Sequence, residues 1–299
     1  MNFDASALNM DNYLGWFSLD ENINGALYHY TSLSSLQGII ENKEFWITHS
    51  SFMNDSGESI YFWSIVREVL DEILKNEHRQ ARIFSDFVNY MIKTIHYIEL
   101  NPSYSNNYIL SFSGSSDSLS MWNYYGKNDG YCMALNPMGF LSDWINDASL
   151  GSKLFFKVVY DQNIQKQMLS SEFIKIVDLY ISNITTWSQG DIPVLCNKLL
   201  GRWLIYSAFF KHPSFRNEEE YRVAFLSYPG EIYYRAYQGI MAPYAKVKIA
   251  KDDQNFPLDS ITIGPMIRHD QAEKGLDGWL RKQGINGYSL FKSSVPIRF

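Results

Sequence analysis

The sequence has little cysteine, no long apolar run and no excess of positive charge. Its two cysteines, Cys132 and Cys196, are too few for a disulfide framework or a four-cysteine zinc site. We expect two buried free thiols, with one bridge as the alternative. The best apolar stretch, Trp203 to Phe210, is broken by Ser207 and is far shorter than the roughly 18 residues of a membrane helix. A net charge of −6 predicts no general affinity for nucleic acid or an anionic membrane.

Basic residues are also missing from the start of the chain. The first 42 residues contain no Lys or Arg, so the basic region of a secretory signal is absent. Together with the cysteine usage, this predicts a cytoplasmic protein that does not partner with a membrane.

The common catalytic and metal-binding motifs are missing as well. No phosphate-binding P-loop, no GxGxxG after a strand, no HExxH, no GxSxG and no EF-hand spacing occurs. The six histidines are scattered without metal-ligand spacing. A common hydrolase, kinase or metalloenzyme is therefore not predicted, and we assign no metal ligands.

Aromatic residues, by contrast, are abundant. Trp, Tyr and Phe make up 16% of the 299 residues, in a chain with an ordinary globular 46% of hydrophobic residues. Most of them fall on apolar faces and need only a packing explanation. A smaller group flanks polar segments: Tyr28, Tyr30, Trp122, Tyr124, Tyr125 and Tyr221.

Strand patterns lie at both ends of the chain and helical periods cluster between them, which predicts one α+β domain, 1–299, with a split sheet and a large helical insertion. The domain starts with an arm, 1–24, has helical insertions at 57–100 and 163–211, and closes with strands and a helix in 218–299. Predicted strands are 27–31, 45–48, 107–113, 130–135, 153–160, 221–226, 245–249 and 260–263. The first predicted helix starts at Thr31 or Ser32. The other predicted helices lie within 60–73, 84–95, 118–125, 163–187, 191–211 and 271–282.

Three polar segments interrupt these apolar frames. His29 lies in a short apolar strand. A histidine in such a position is most often hydrogen-bonded to the backbone. Ser111 and Ser113 end a strand that leads to the aromatic segment 121–126, where adjacent Tyr124 and Tyr125 must point in different directions. At least one of these two rings is therefore expected near the surface or a cleft.

The third segment opens a strand with carboxylates. In a strand Glu218, Glu220 and Arg222 share one face, and Glu219 lies on the other. Two like charges so close raise each other's pKa unless Arg222 or a ligand compensates them. A solvated strand start and a paired-carboxylate site that stabilises positive charge on a sugar are both compatible with this pattern.

Read together, these segments resemble the bacterial family DUF2971, a domain of unknown function. The resemblance runs from about residue 27 to residue 298. One departure is the family's Asn-Asp-Pro loop, which here reads Asn54-Asp55-Ser56, so the rigidity of that turn is not assured. The segments that carry the resemblance are LYHYTSLSSLQGII, SFMNDSGES, SFS…MWNYYG, KHPSFRNEEEYRV, ITIGPMI and KSSVPIR.

A second, weaker resemblance concerns activity. A His on the first strand, a Tyr after a Ser-bearing strand and Glu-x-Glu at a later strand are similar to the His–Tyr–Glu signature of ADP-ribosyltransferases. This resemblance implies an ADP-ribosyltransferase-like split, mostly antiparallel sheet, with NAD as substrate. It also implies that His29 bonds a ribose hydroxyl, that Tyr125 or else Tyr124 stacks on nicotinamide, and that Glu220 stabilises the oxocarbenium ion.

The same resemblance implies supporting roles around NAD. Glu218 would orient or deprotonate the acceptor, and Arg222 would set the charge of the glutamate pair. Further pocket residues would be Tyr30, Thr31, Ser111, Ser113, Asn54 and Asp55.

Two classes of function remain open from the sequence. The first is an NAD-consuming enzyme that transfers ADP-ribose to a protein or nucleic-acid acceptor, as a toxin or antiviral effector with an inhibitor or antitoxin partner; an NAD glycohydrolase is its close relative. The second is a non-catalytic nucleotide-sensing or protein-interaction module whose aromatic residues form an interface.

Overall fold

Ten strands and eight helices occupy the part of the chain that the computed structural model describes, residues 25–53, 57–76, 81–101, 107–126, 128–237, 239–250 and 255–296. The strands are β1 Leu27–Ser32, β2 Glu44–His49, β3 Tyr108–Ser113, β4 Gly130–Leu135, β5 Ser152–Lys157, β6 Glu220–Leu226, β7 Tyr233–Tyr237, β8 Ile240–Lys248, β9 Leu258–Ile263 and β10 Ser289–Lys292. The helices are α1 Leu33–Asn42, α2 Gly57–Asn76, α3 Ala81–Leu100, α4 Leu119–Met121, α5 Leu141–Asn146, α6 Gln162–Ser182, α7 Ile192–Ser207 and α8 His269–Lys282.

The sheet branches at β3. Along one edge β3 pairs with β6, which in turn pairs with β5. Its other edge pairs with β2 near Tyr108 and with β1 at Ser113. From there one arm continues through β4, β9 and β10, and the other through β8 and β7. All pairings are antiparallel except that of β9 with β10, so the predicted α+β class and mostly antiparallel sheet are confirmed.

The two faces of the sheet carry different cores because side chains alternate along each strand. Tyr108, Leu110 and Phe112 of β3 point to what we call the first face, where α1, α5 and α8 pack. Ile109 points to the second face, where α2, α3, α6 and α7 form one helical layer over β3, β5 and β6. The two segments predicted as helical insertions therefore pack against each other.

Several local predictions are confirmed by the structure. The Ser32 hydroxyl caps α1 by accepting a hydrogen bond from the Ser35 amide at 3.3 Å. Gly284 adopts a φ of 76° just after α8, a left-handed conformation that glycine permits and that ends a helix. Both cysteines are free and buried.

Other boundaries differ from the predictions. The strand predicted at 153–160 ends at Lys157, and the helix predicted to reach residue 211 ends at Ser207. Strand β7, the first half of β8 and the short edge strand β10 were not predicted, whereas the second half of β8 corresponds to the strand predicted at 245–249. In β7 the exposed positions are Tyr234 and Ala236 and the half-buried ones include Arg235, so the sequence of the strand shows no alternation of apolar and polar residues.

The predicted helix 118–125 is wrong in its form. Only α4 is α-helical, and Trp122–Gly126 form a π-helical turn. This turn lies against β4 so closely that a Cβ on Gly130 would meet the Gly126 Cα at 2.2 Å. The Trp122 indole donates to the Asp117 carboxylate at 2.7 Å, which fixes the turn over the sheet.

Candidate functional site

Five charged side chains meet on the second face, beneath the helical layer. Glu58 comes from the start of α2, Lys211 follows α7, Glu218 ends a 3₁₀-helix, and Glu220 and Arg222 lie on β6. We call these five residues the charge cluster. None of their side chains is more than 13% exposed.

Arg222 is the centre of the charge cluster. Its Nε and Nη2 donate to the two Glu220 carboxylate oxygens at 2.7 and 2.9 Å. Its Nη1 and Nη2 donate to the two Glu58 oxygens at 2.9 and 2.7 Å, and Nη1 also donates to the Ala208 carbonyl at 2.8 Å. All five N–H donors of the guanidinium are thus used, which locks α2, α7 and β6 together.

Lys211 ties together all three carboxylates of the charge cluster. Its ammonium lies 2.6 Å from Glu218, 3.1 Å from Glu220 and 3.3 Å from Glu58. Burial opposes the charged form of Lys211, but these carboxylates outweigh it and raise its pKa above the ordinary value. The lysine therefore stays protonated at neutral pH.

The two glutamates of the Glu-x-Glu segment respond differently to burial. Burial would raise the pKa of Glu220, but the charges of Arg222 and Lys211 prevail and lower it to about 2. Burial raises the pKa of Glu218 above its ordinary value, because Lys211 only partly compensates. Glu220 is thus a firmly ionised carboxylate, and Glu218 is the more basic of the pair.

The backbone between the two glutamates explains how both reach Lys211. The sequence pattern placed Glu218 in the strand, but in the structure Glu218 ends the 3₁₀-helix Pro213–Glu218. Glu219 follows with a left-handed φ of 46°, and β6 begins at Glu220. The Ser113 hydroxyl donates to the Glu218 carbonyl at 2.7 Å and so holds this turn against β3.

A cross-strand row leads from Glu220 towards the aromatic residues. Ser113 lies opposite Glu220 on one side and opposite Tyr28 on the other, so the three side chains share the second face. Tyr28 and Tyr125 both pack beside the buried Tyr30 and Trp122. The structure thus brings Glu218, Glu220, Arg222, Ser111 and Ser113 together, with Tyr125 farther along the same face.

The buried Ser111 hydroxyl lies beside this pair. It contributes to lowering the pKa of Glu220, yet its Oγ makes no hydrogen bond of good geometry with any described residue. It is therefore a polar atom that a small rearrangement or a ligand hydroxyl would satisfy.

His29 is not brought to the charge cluster. Its ring contacts Phe45 and Phe112 of the first face, with centroids 5.0 and 5.9 Å away. Its Nδ1 donates to the Ser111 carbonyl at 3.2 Å, at the part of the β3 edge left open where β1 and β2 diverge. Burial lowers the pKa of the imidazole to about 4, so it is neutral at pH 7. Its role in this structure is to bond the Ser111 carbonyl of β3 at the branch of the sheet.

The remaining predicted residues have mixed surroundings. Tyr30 is buried, and its hydroxyl donates to the Ser115 carbonyl and accepts from the Ser118 amide; Thr31 is buried in β1 as well. Tyr124 is 58% exposed, whereas Tyr125 is half-buried, so at least one of the two rings lies at the surface, as expected. Asn54 and Asp55 lie outside the described residues.

Sequence reasoning missed Lys211, Glu58 and Tyr160, whose hydroxyl accepts a hydrogen bond from the Glu220 amide at 3.1 Å. A lysine directly after the apolar run Trp203 to Phe210 was a usable signal, because a buried lysine requires carboxylate partners. Glu58 and Tyr160 carry no comparable signal, since only tertiary packing brings α2 and the segment after β5 to β6.

The described residues contain no group of three or more His, Cys, Asp or Glu arranged to hold a metal ion. In this part of the chain, no helix has both the length and the apolar character needed to cross a membrane.

Comparison with known proteins identifies one family. Residues 121–223 match the model of DUF2971, a protein of unknown function, so the expected resemblance to this family is confirmed over that segment. The matched segment includes Tyr125, Lys211, Glu218, Glu220 and Arg222. No curated protein matches the chain, and no solved structure matches it.

Proposed function

We propose that the chain is an NAD-consuming enzyme, an ADP-ribosyltransferase or NAD glycohydrolase, with its reacting site at the charge cluster. The observation that carries the proposal is the ionised Glu220 carboxylate, whose cross-strand row leads through Ser113 to Tyr28 and towards Tyr125. This combination offers a carboxylate that stabilises the developing oxocarbenium ion and aromatic rings that stack on the planar, cationic nicotinamide.

The charge of the cluster suits this chemistry. Three carboxylates face two cations, Lys211 and Arg222, which leaves one negative charge when all three carboxylates are ionised. Nicotinamide in NAD is cationic, and the ribose becomes an oxocarbenium ion as the glycosidic bond breaks. A buried negative charge stabilises that transition state more than it would in water.

The residues fit NAD in a specific way. Glu220 Oε1 accepts one hydrogen bond, from Arg222 Nε, and retains a lone pair for a ribose hydroxyl. The unsatisfied Ser111 hydroxyl is a second polar partner beside it. We leave His29 out of substrate binding, because its ring lies against first-face residues and already bonds the Ser111 carbonyl.

The reaction balances with these residues alone. The C–N bond of the nicotinamide riboside breaks, and its electron pair leaves with neutral nicotinamide. An acceptor hydroxyl, amine or water forms the new bond to the ribose carbon and loses one proton. Glu218, whose pKa burial raises, would take that proton.

The test is release of nicotinamide on incubation with NAD. We expect the wild type to release it and Glu220→Gln to slow release by about a hundredfold or more, since one transition-state contact is worth that much. The matched control is Glu172→Gln, because Glu172 is also a buried glutamate, paired with Arg202 and with Tyr206 at 2.6 Å inside the helical layer.

Thermal melts of both variants separate loss of activity from loss of fold. If folded Glu220→Gln turns over NAD as fast as the wild type, the assignment of Glu220 is wrong. Free ADP-ribose as the product identifies a glycohydrolase, and labelled acceptor identifies a transferase.

A second candidate is a non-catalytic binding module, in which the charge cluster only joins the helical layer to the sheet. The observation that favours it is the complete use of the Arg222 donors within the protein. Under this alternative the wild type neither binds NAD nor releases nicotinamide, which would contradict the first proposal.

A further inference from the structure

A second cluster of aromatic and cationic side chains lies on the other arm of the sheet. Trp46 of β2, Tyr244 and Lys246 of β8, and Tyr233 and Arg235 of β7 point to the same side of these three strands, because they are opposed or alternate in register. We call these five residues the aromatic–cationic face.

Three rings form a row across the three strands. Trp46 stacks on Tyr244 with centroids 4.5 Å apart, and Tyr244 lies 5.6 Å from Tyr233. Trp46 is 43% exposed, although an indole of this size is normally well covered in a protein without a partner. Tyr244 is buried at 7% exposure, so Trp46, supported from below by Tyr244, is the ring of this pair that presents an aromatic surface to solvent.

Two cations border these rings. The Arg235 guanidinium lies 5.8 Å from the Trp46 ring centre and 5.7 Å from that of Tyr244. The Lys246 ammonium lies 5.8 Å from Trp46 and 5.0 Å from Tyr233. Each ring of the row is thus bordered by a positive charge, a combination that attracts a planar group attached to an anion.

Arg235 supplies a positive charge on this face that no nearby carboxylate in the described part of the chain compensates. Within the described residues Arg235 makes no ion pair, and its hydrogen bond is to the Thr48 hydroxyl at 3.0 Å. Among these residues none accepts a hydrogen bond from its buried Nε. Two carboxylates lie nearby but are engaged: Glu44 pairs with Lys246 and accepts from the Trp46 indole, and Glu231 accepts from the Tyr233 hydroxyl.

From this arrangement we propose that the aromatic–cationic face binds single-stranded nucleic acid, with a base stacked on Trp46 and backbone phosphates near Arg235 and Lys246. Base stacking on aromatic side chains of an open sheet, with cations along the backbone, is how proteins hold unpaired strands. A duplex is excluded because its bases are already stacked on each other and present only their edges.

The row of rings favours a strand over a mononucleotide. Its accessible rings, Trp46 on β2 and the half-buried Tyr233 on β7, lie on either side of the buried Tyr244 of β8 and offer two separate stacking positions. With a net charge of −6 for the whole chain, affinity must come from this local face, so binding should weaken steeply with salt. The inference goes beyond the proposed NAD chemistry and does not depend on it.

The test measures fluorescence anisotropy of labelled short DNA and RNA single strands with the full chain at low salt. We expect saturable binding by the wild type and about 5- to 150-fold weaker binding by Trp46→Ala, the loss typical of one stacked base. Trp46→Phe keeps a ring and should bind within about threefold of the wild type. Arg235→Gln and Lys246→Gln should each flatten the salt dependence by about 0.7 in log–log slope.

The matched controls are Phe291→Ala and Arg281→Gln. Phe291 is 55% exposed on β10 at the far end of the sheet, and Arg281 is an exposed cation on α8; neither change should alter binding. The proposal is overturned if the wild type binds no single strand, if duplex or a mononucleotide binds as tightly, or if folded Trp46→Ala binds like the wild type. Nicotinamide release does not enter this test, so the two proposals fail separately.

Discussion

At the scale of the residue, Arg222 connects three elements, because its five donors reach β6, α2 and the end of α7. It is fully buried and bonds two carboxylates from different elements, so its removal leaves Glu58 and Glu220 without their main partner. Buried pairs add little when complete but are costly to break, because the surviving charge stays desolvated. The Arg222 side chain therefore holds α2 against β6.

We predict that Arg222→Gln lowers the free energy of unfolding by about 3–5 kcal/mol at pH 7, measured by urea denaturation. Arg281→Gln, which removes an exposed pair with Asp277, should cost less than about 1 kcal/mol. An equal effect of the two changes would show that the buried pairing is not the reason.

The same variant should show an altered pH dependence. In the wild type the pKa of Glu220 falls from 4.5 to about 2 on folding, so its contribution is complete above about pH 4.5 and is lost as the pH falls towards 2. Without Arg222 much of that contribution is already gone. The difference between wild type and variant should therefore shrink between about pH 4.5 and pH 2.

At the scale of the element, the π-helical turn Trp122–Gly126 depends on glycines. A Cβ on Gly130 would meet Gly126 backbone, and a Cβ on Gly264 would meet the Gly130 carbonyl oxygen at 2.5 Å. Contacts this short to backbone cannot be relieved by rotating a side chain. The turn that carries Tyr124 and Tyr125 therefore keeps its place only while these positions lack side chains.

We predict that Gly130→Ala destabilises the chain by about 1–3 kcal/mol, the usual cost of overpacking. The matched control is Gly38→Ala in α1, where an added Cβ meets nothing within 4 Å and should stabilise by about 0.5–1 kcal/mol. Thermal melts compare the two. Opposite signs are expected, and a destabilised Gly38→Ala would contradict the argument.

At the scale of the whole molecule, the helical layer and the sheet share one core. Ile109, Phe156 and Ala224 of the sheet belong to the same apolar cluster as the helical residues Phe87 and Trp203. The charge cluster joins the same two layers. We therefore expect residues 57–100 and 163–211 to unfold together with the sheet.

We predict that Phe87→Ala lowers the free energy of unfolding by about 3–5 kcal/mol, since the ring is fully buried. Far-ultraviolet and near-ultraviolet circular dichroism should report one coincident transition in both wild type and variant. Two separate transitions would show that the helical layer is an independent domain.

Sequence reasoning recovered the elements with a clear hydrophobic period and lost those without one. Helices α2 and α3 and strand β4 follow from periodicity because each buries one face or both. Strand β7 and the start of β8 were missed because their exposed residues are mostly apolar, so burial there does not separate apolar from polar side chains. The π-helical turn depends on contacts with β4, which leave no local pattern. The paired glutamates and Arg222 were visible from the sequence, but Lys211, which helps to neutralise the glutamates, was missed. Glu58, a third carboxylate that shares Arg222 and Lys211 with Glu220, comes from α2, far away in the sequence.

What the sequence by itself determined is the class of fold, the free buried thiols and the candidate carboxylates, because composition and period act locally. Which face each side chain occupies was decided by tertiary structure alone. His29 and Tyr28 are neighbours in sequence, yet β1 sends one to the first face and the other to the row that contains Glu220. Strand pairing sets that alternation, and a one-residue shift in register would exchange the two.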